Sequence, residues 1–523
     1  MADHERGGTD PSHPHCCCSG GERCDPGGVS RRDFLKATGI AFSAAALVGA
    51  TWASLKAASA GGDVPMPPGR KPLVVKPVLT FEIPRRRDKT SWRPWGGIQT
   101  QQDADAEVKR IQDELEKLKA DADFPVEFLP VSGVRNANEF QALGDLAQAD
   151  ALILYAAGGP QNIFNAAVET GKNVIFFVRH RSGPVYQWYE IISPRYLRQH
   201  TDTLQVKGVD YTDVVVDKPD DLAWRLRALC GLKNTLGSSI VCIGGPAGWA
   251  TPNAPDLTRA KWKMDLQTVS YEDLGPIIQA ARADEKTMQR ARDRTEAYLK
   301  GKGVSLETKK EYVEGCFLLD DIFRGLMTKA GAKAITVNAC MGTIMRVSDS
   351  TACLSLSTLN DDGYLAFCES DFVVIPAGIL MANITGRPSF LNDPTYPHHG
   401  MTTLAHCTAP RKMDGKNLEP VRLVTHFESD FGAAPKVEMH KGQVITNVLP
   451  DFKAERWVGL KAKIIDAPFL PICRSQIDIA YEAGDDLVAE RMPGFHWMTC
   501  YGDYMREIGY ALKKIPIAWE PLA

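Results

Sequence analysis

The sequence lacks a charge excess of either sign. Its 523 residues carry 61 Lys and Arg against 64 Asp and Glu, a net charge of −3, whereas a phosphate-facing surface normally shows as surplus Lys and Arg. No nucleic-acid partner is therefore expected. Cys-x-x-Cys pairs are missing as well. Nine cysteines lie beyond residue 60: Cys230, Cys242, Cys316, Cys340, Cys353, Cys368, Cys407, Cys473 and Cys500. They are scattered, odd in number and mostly within apolar runs, so they read as small core residues and not as a disulfide framework. Neither GxGxxG nor GxxxxGK(S/T) occurs at the strand-to-loop turn Gly244-Gly245-Pro246, which leaves little ground for a nucleotide site there.

What is present is the composition of a globular protein, 44% hydrophobic and 24% charged. The length exceeds one ordinary core, and about three domains are expected.

The first sixty residues read as an address. Ser30-Arg31-Arg32-Asp33-Phe34-Leu35-Lys36 precedes the mildly apolar run "ATGIAFSAAALVGATWASL", and Ala58-Ser59-Ala60 has the small-residue pattern of a cleavage site. This is similar to a twin-arginine (Tat) export signal, so the Tat machinery is an expected partner and the bacterial periplasm the expected location. No stable membrane span is expected after cleavage. Ahead of the twin arginines, "HPHCCCSGGERC" resembles a metal-binding tract through His13, His15, Cys16, Cys17, Cys18 and Cys24. It would be discarded with the leader.

Residues 61–72, "GGDVPMPPGRKP", are Gly- and Pro-rich and predict a mobile or extended lead-in. From 73 to 215 strands alternate with helices: "LVVKPVLTF", "DADAEVKRIQDELEKLKADA", "ADALILYAA", "PQNIFNAAVETG", "KNVIFFVR". That order predicts a doubly wound, parallel α/β domain. A second such unit is placed at 216–302, with "PDDLAWRLRALCGLK" helical, "SSIVCIGG" a strand and "DEKTMQRARDRTEAYLKGKG" a charged helix stopped by glycines. The fold class expected is two doubly wound, Rossmann-like domains followed by a mixed α/β domain over 303–523.

That last domain holds the chemistry. "KKEYVEGCFLLDDIFRGLMTKAG" predicts an amphipathic helix, and "KAITVNAC" and "ACLSLSTLN" read as apolar strands. Four polar residues then fall on or just after strand-like runs: Glu369 after "YLAFC", Asp393 after "SFLN", His406 after "TTLA" and His496 in "FHWMTCY". Residues at the ends of neighbouring strands converge on one edge of an α/β sheet. Two carboxylates and imidazoles meeting there would make a divalent-metal site with mixed O/N ligands. Taken singly, each has a plainer reading: Asp393 before Pro394 as a turn starter, His406 as a supporting group, His496 as a hydrogen-bonded core residue. Asp371 precedes "FVVIPAGILMANITG" and reads as a helix N-cap. The loop "TSWRPWGG", with Trp92, Arg93 and Trp95, suits either sugar stacking or a packing anchor.

The stretch "CLSLSTLNDDGYLAFCESDFVVIPAGILMANITGRPSFLNDPTYPHHGMTTLAHCTAP" resembles the central block of the C-terminal domain in the L-fucose isomerase and L-arabinose isomerase superfamily. The closing "GFHWMTCYGDYMREIGYALKKIPI" is similar to that family's last segment. The resemblance implies that Glu369, Asp393 and His496 hold a divalent metal, Mn2+ by preference. Glu369 and Asp393 would be the catalytic carboxylates, and His406 would ligate the ion or orient substrate; Trp92, Arg93 and Trp95 are substrate-contact candidates on the composition of their loop alone, since the resemblance does not reach it. The resemblance implies an aldose–ketose isomerase acting on a small sugar through an ene-diol, in a trimer or hexamer. The same site would also serve an epimerase or a lyase, and a non-catalytic periplasmic sugar-binding protein could have kept the fold.

Overall fold

The computed structural model of the protein describes residues 49–58 and 64–522. The twin arginines, the His/Cys tract and the cleavage point expected after Ala60 lie outside these residues. The end of the apolar run forms the helix Trp52–Ala58, whose Leu55 is buried against the helix Lys310–Ala330 near Gly325. No helix among the described residues is long and apolar enough to cross a membrane.

From residue 64 the lead-in carries no helix or strand and is pinned by hydrogen bonds. The Pro65 carbonyl accepts from Arg324 Nη1 at 2.9 Å and the Tyr364 hydroxyl at 3.0 Å, while Arg70 donates to the Asn383 and Asp123 carbonyls, each at 3.0 Å.

The molecule is mixed α/β, with parallel sheets and a C-terminal antiparallel barrel. In the first sheet the strands run in the order Val126–Phe128, Leu73–Thr80, Ala151–Ala156, Asn173–Val178, Val214–Val216, and Ser132–Val134 also pairs with Leu73–Thr80. All these pairings are parallel. Continuous apolar runs such as "ALILYA" are buried along their whole length because helices cover both faces of such a sheet. One of these helices, Gln101–Asp121, starts on a reciprocal cap between Thr100 and Asp103 and turns Ala104, Ile111, Leu115 and Leu118 inward.

The second sheet is also parallel, in the order Leu365–Cys368, Ala334–Val337, Ser239–Ile243, Asp265–Val269. Two of its strands precede residue 303 and two follow it, so this sheet spans the boundary expected there. "ACLSLSTLN" is not a strand but the helix Cys353–Asp361. All nine of its residues are buried, so it has no solvent face, and its alternation of Leu with Ser or Thr mimics the period of a strand.

The C-terminal part closes into a six-stranded antiparallel barrel: Val444–Pro450, Trp497–Tyr501, Phe390–Pro394, Met401–His406, Ser475–Ala480, Arg456–Asp466 and back to the first. The strand Ala518–Leu522 adds to Arg456–Asp466 from outside the ring. The helix Ile375–Thr385 is wedged between the parallel sheet and the barrel, and its Gly378 makes that fit possible. A Cβ there would lie 2.5 Å from the Phe367 ring and 2.8 Å from the Met498 methyl.

Candidate metal centre

The four polar residues singled out in the sequence do meet, although they do not share one sheet edge. Glu369 follows the parallel strand Leu365–Cys368, whereas Asp393 and His406 end barrel strands and His496 immediately precedes one. Barrel register brings the last three together. Asn392 pairs with Trp497, which sets Asp393 beside His496, and Asp393 pairs with Ala405, which sets it beside His406.

Glu369 reaches them through an unusual turn. Glu369 and Ser370 both have left-handed backbone, φ 64° and 50°, a conformation that costs non-glycine residues on the order of 1 kcal/mol each. The turn is stitched in place: Ser370 N donates to Thr336 Oγ1 at 3.1 Å, and the Ser370 carbonyl accepts from Ala247 N at 3.1 Å.

At the centre His496 Nε2 lies 3.3 Å from Glu369 Oε2 and 3.4 Å from Asp393 Oδ1, and His406 Nε2 lies 3.6 Å from Glu369 Oε1. Glu369 Oε2, Asp393 Oδ1, His406 Nε2 and His496 Nε2 are all buried without a hydrogen-bond partner among the described residues. Buried polar atoms are nearly always paired. Four that are unpaired and face one another fit the donor set of a metal ion, and Glu369, His406 and His496 offer ligand atoms within 4.8 Å of one another.

The outer nitrogens of both rings are engaged. His496 Nδ1 donates to Asp371 Oδ2 at 2.7 Å, and His406 Nδ1 lies 3.1 Å from Thr408 Oγ1. Because a carboxylate can only accept, Asp371 keeps a proton on His496 Nδ1 and turns Nε2 toward Glu369 and Asp393. This corrects the N-cap reading of Asp371. The helix starts at Ile375 with Val374 as N-cap, and Asp371 uses its other oxygen to accept from Val373 N at 3.0 Å.

Burial alone would raise the Glu369 carboxyl, but the imidazoles of His406 and His496 outweigh it and hold the group well below the usual carboxylate range. Burial pushes Asp393 up to about 6 against the pull of the same histidines. Burial would lower His496, yet Asp371, Glu369 and Asp393 raise it to about 10, and Glu369 and Asp393 raise His406 in the same way. Two carboxyls a few ångströms apart are thus held in different protonation regimes.

The wall above His496 is aromatic and was not foreseen. Trp249 stacks on Phe495 with centroids 4.6 Å apart and meets the His496 ring edge-on at 5.3 Å; both aromatics are about half exposed, at 45% and 54%. "GGPAGWATPN" is a Trp in a Gly/Pro loop, so the argument that selected Trp92 and Trp95 would have selected Trp249 as well. The "TSWRPWGG" loop packs elsewhere: Gly96 and Gly97 lie against Pro184, Val185 and Gln187, and Arg93 lies over the Trp92 ring at 5.0 Å. No bond or ring contact among the described residues joins Trp92, Arg93 or Trp95 to the metal-facing groups.

The Asp371–His496 bond gives a direct expectation. Asp371→Ala should weaken divalent-metal affinity by about 10–100-fold, the usual cost of losing a partner behind a ligating histidine, while the fold persists. Metal titration of the purified variant measures this, and unchanged affinity would show that His496 needs no such support.

Compared with known proteins, the chain matches no protein-family model and no curated protein.

Proposed function

We propose that the protein is a metal-dependent aldose–ketose isomerase that moves a proton between C1 and C2 of an open-chain sugar through an ene-diol. The observation that carries this reading is the convergence of four buried, unpaired ligand atoms from Glu369, Asp393, His406 and His496. The resemblance of "FCESDF" and "GFHWMTCYGD" to the fucose and arabinose isomerase superfamily supports it.

Glu369, Asp393 and His496 would hold the ion, Mn2+ by the carboxylate-rich donor set, and it would supply polarisation of a carbonyl oxygen. The chain's own groups do the rest. Glu369 is the carboxylate placed to accept the C2 proton and return it to C1. Asp393 is the second carboxylate at the centre and would help to place the substrate's hydroxyl oxygens beside the ion. Asp371 orients His496. Trp249 and Phe495 offer flat apolar surface against which the C–H face of a sugar can lie. The twin-arginine leader would carry this enzyme to the periplasm, and the family resemblance suggests a trimer or hexamer.

Deuterium exchange tests the chemistry. Mn2+-loaded protein incubated in D2O with pentoses, hexoses and deoxyhexoses should yield ketose carrying deuterium at C1, and chelation should stop the reaction. If no sugar in the panel is converted or exchanged, the isomerase reading falls.

A further inference from the structure

Glu369 also belongs to a second group of ligand-type side chains. The Sγ atoms of Cys340 and Cys368 and a Glu369 carboxylate oxygen lie within 4.8 Å of one another. Both cysteines are free thiols, Cys368 buried and Cys340 partly exposed. Neither takes part in the carboxylate–imidazole cluster.

The backbone brings them together by means that look built. Cys368 ends its strand, paired with Val337, and Cys340 lies in the turn just past Val337. That turn contains Ala339 in left-handed conformation, φ 51°. It is anchored by the Tyr271 hydroxyl donating to the Asn338 carbonyl and by Thr343 N donating to the Ala339 carbonyl at 3.0 Å. Two neighbouring parallel strands thus end in two left-handed turns. One delivers Cys340, the other Glu369, and Cys368 lies between.

We propose that Cys340, Cys368 and Glu369 form a second metal site, for a thiophilic divalent cation of the zinc class, joined to the carboxylate–imidazole centre through the shared Glu369 carboxylate. Thiolates select soft or borderline ions, so this site and its neighbour differ in preference. Two sulfurs bound at about 2.3 Å to one tetrahedral ion lie about 3.8 Å apart, so the observed limit of 4.8 Å requires a closure of no more than about 1 Å. A disulfide would need the sulfurs at about 2.05 Å, a larger rearrangement of both turns. Each carboxylate oxygen has two lone pairs, which permits Glu369 to serve both sides. Binding forms two sulfur–metal bonds and releases the two thiol protons to solvent, with no change of oxidation state. Three protein ligands leave one position of a tetrahedral ion open, as in catalytic zinc sites.

Titration of the reduced, metal-stripped full chain with Cd2+ tests this without reference to turnover, so it stands or falls apart from the isomerase reading. The expected result is a thiolate-to-cadmium charge-transfer band in which one equivalent depends on Cys340, separate from any cadmium held by Cys16, Cys17, Cys18 and Cys24 of the leader. Cys340→Ser should remove one cadmium equivalent from the band while leaving the Mn2+ equivalent of the neighbouring centre in place. Cys368→Ser should do the same if it folds, but the partly exposed Cys340 position makes the first variant sufficient. Absence of the band in the wild type, or a band of full intensity in Cys340→Ser, would overturn the proposal. So would a Cys340–Cys368 disulfide that persists in the protein as isolated.

Discussion

Glu369→Gln is expected to lower turnover by about 10^2–10^4-fold, the span associated with losing a positioned general base. The amide keeps the size and one oxygen of the side chain but cannot accept the proton. Glu369 is also a metal-facing group, so the variant should carry less metal, and turnover must be compared at saturating Mn2+. Under that condition kcat should collapse with KM little changed, the pattern of an interaction made in the transition state and not in the ground state. Full turnover by the variant would move the base to another residue. Parallel loss of metal in Asp393→Asn and His496→Ala, with the fold retained, would tie all three residues to one centre.

Arg324→Met is expected to destabilise the protein by about 1–3 kcal/mol, the cost of leaving buried polar groups short of a hydrogen-bond partner, since Asp320 keeps Arg294. Arg324 is fully buried, and so is Asp320, which its Nε meets at 2.6 Å; its Nη2 meets Asp362 at 2.6 Å and its Nη1 the Pro65 carbonyl at 2.9 Å. Met keeps the length of the side chain while the charge and all these bonds disappear. Burial would raise the Asp320 carboxyl, but Arg294 and Arg324 outweigh it and hold it below its ordinary value. A depressed carboxyl stabilises the fold above its unfolded pKa of about 3.9 and loses that contribution as pH falls. The gap between wild type and variant should therefore narrow in acid. Urea unfolding at pH 7 and at about pH 2.5, below the unfolded pKa, measures both effects, and equal midpoints at pH 7 would contradict the assignment. By contrast, Lys109→Ala at the exposed Lys109–Asp113 pair should change stability by less than about 1 kcal/mol.

The elements with a strong pattern were legible in the sequence. The helix Gln101–Asp121 alternates faces along its length, and "ALILYA" is a short apolar run between turn signals, so both could be placed from residues alone. Glu369, Asp393, His406 and His496 could be picked out because each interrupts or ends an apolar run. Other features had no local signal. The helix Cys353–Asp361 is buried on every side and reads with the period of a strand. The role of Asp371 depends on His496, which is distant in sequence. Cys340 and Cys368 looked like scattered core residues because only strand pairing makes them neighbours. The left-handed turn at Glu369 and Ser370 was invisible because neither residue is Gly or Asn, the types that usually announce such backbone. Closure of the barrel, which sets Asp393 between the two histidines, depends on register, and register is a property of pairs of strands.

The strained turn at Glu369 and Ser370 has a bearing on how the protein can change over time. A glycine at either position would relax the backbone and, other things equal, strengthen the fold. At Glu369 that same change deletes the carboxylate on which both proposed ion sites depend. Selection for thermal robustness alone would therefore drift this turn toward glycine and erase the site. Only selection for what the carboxylate does can keep a glutamate there.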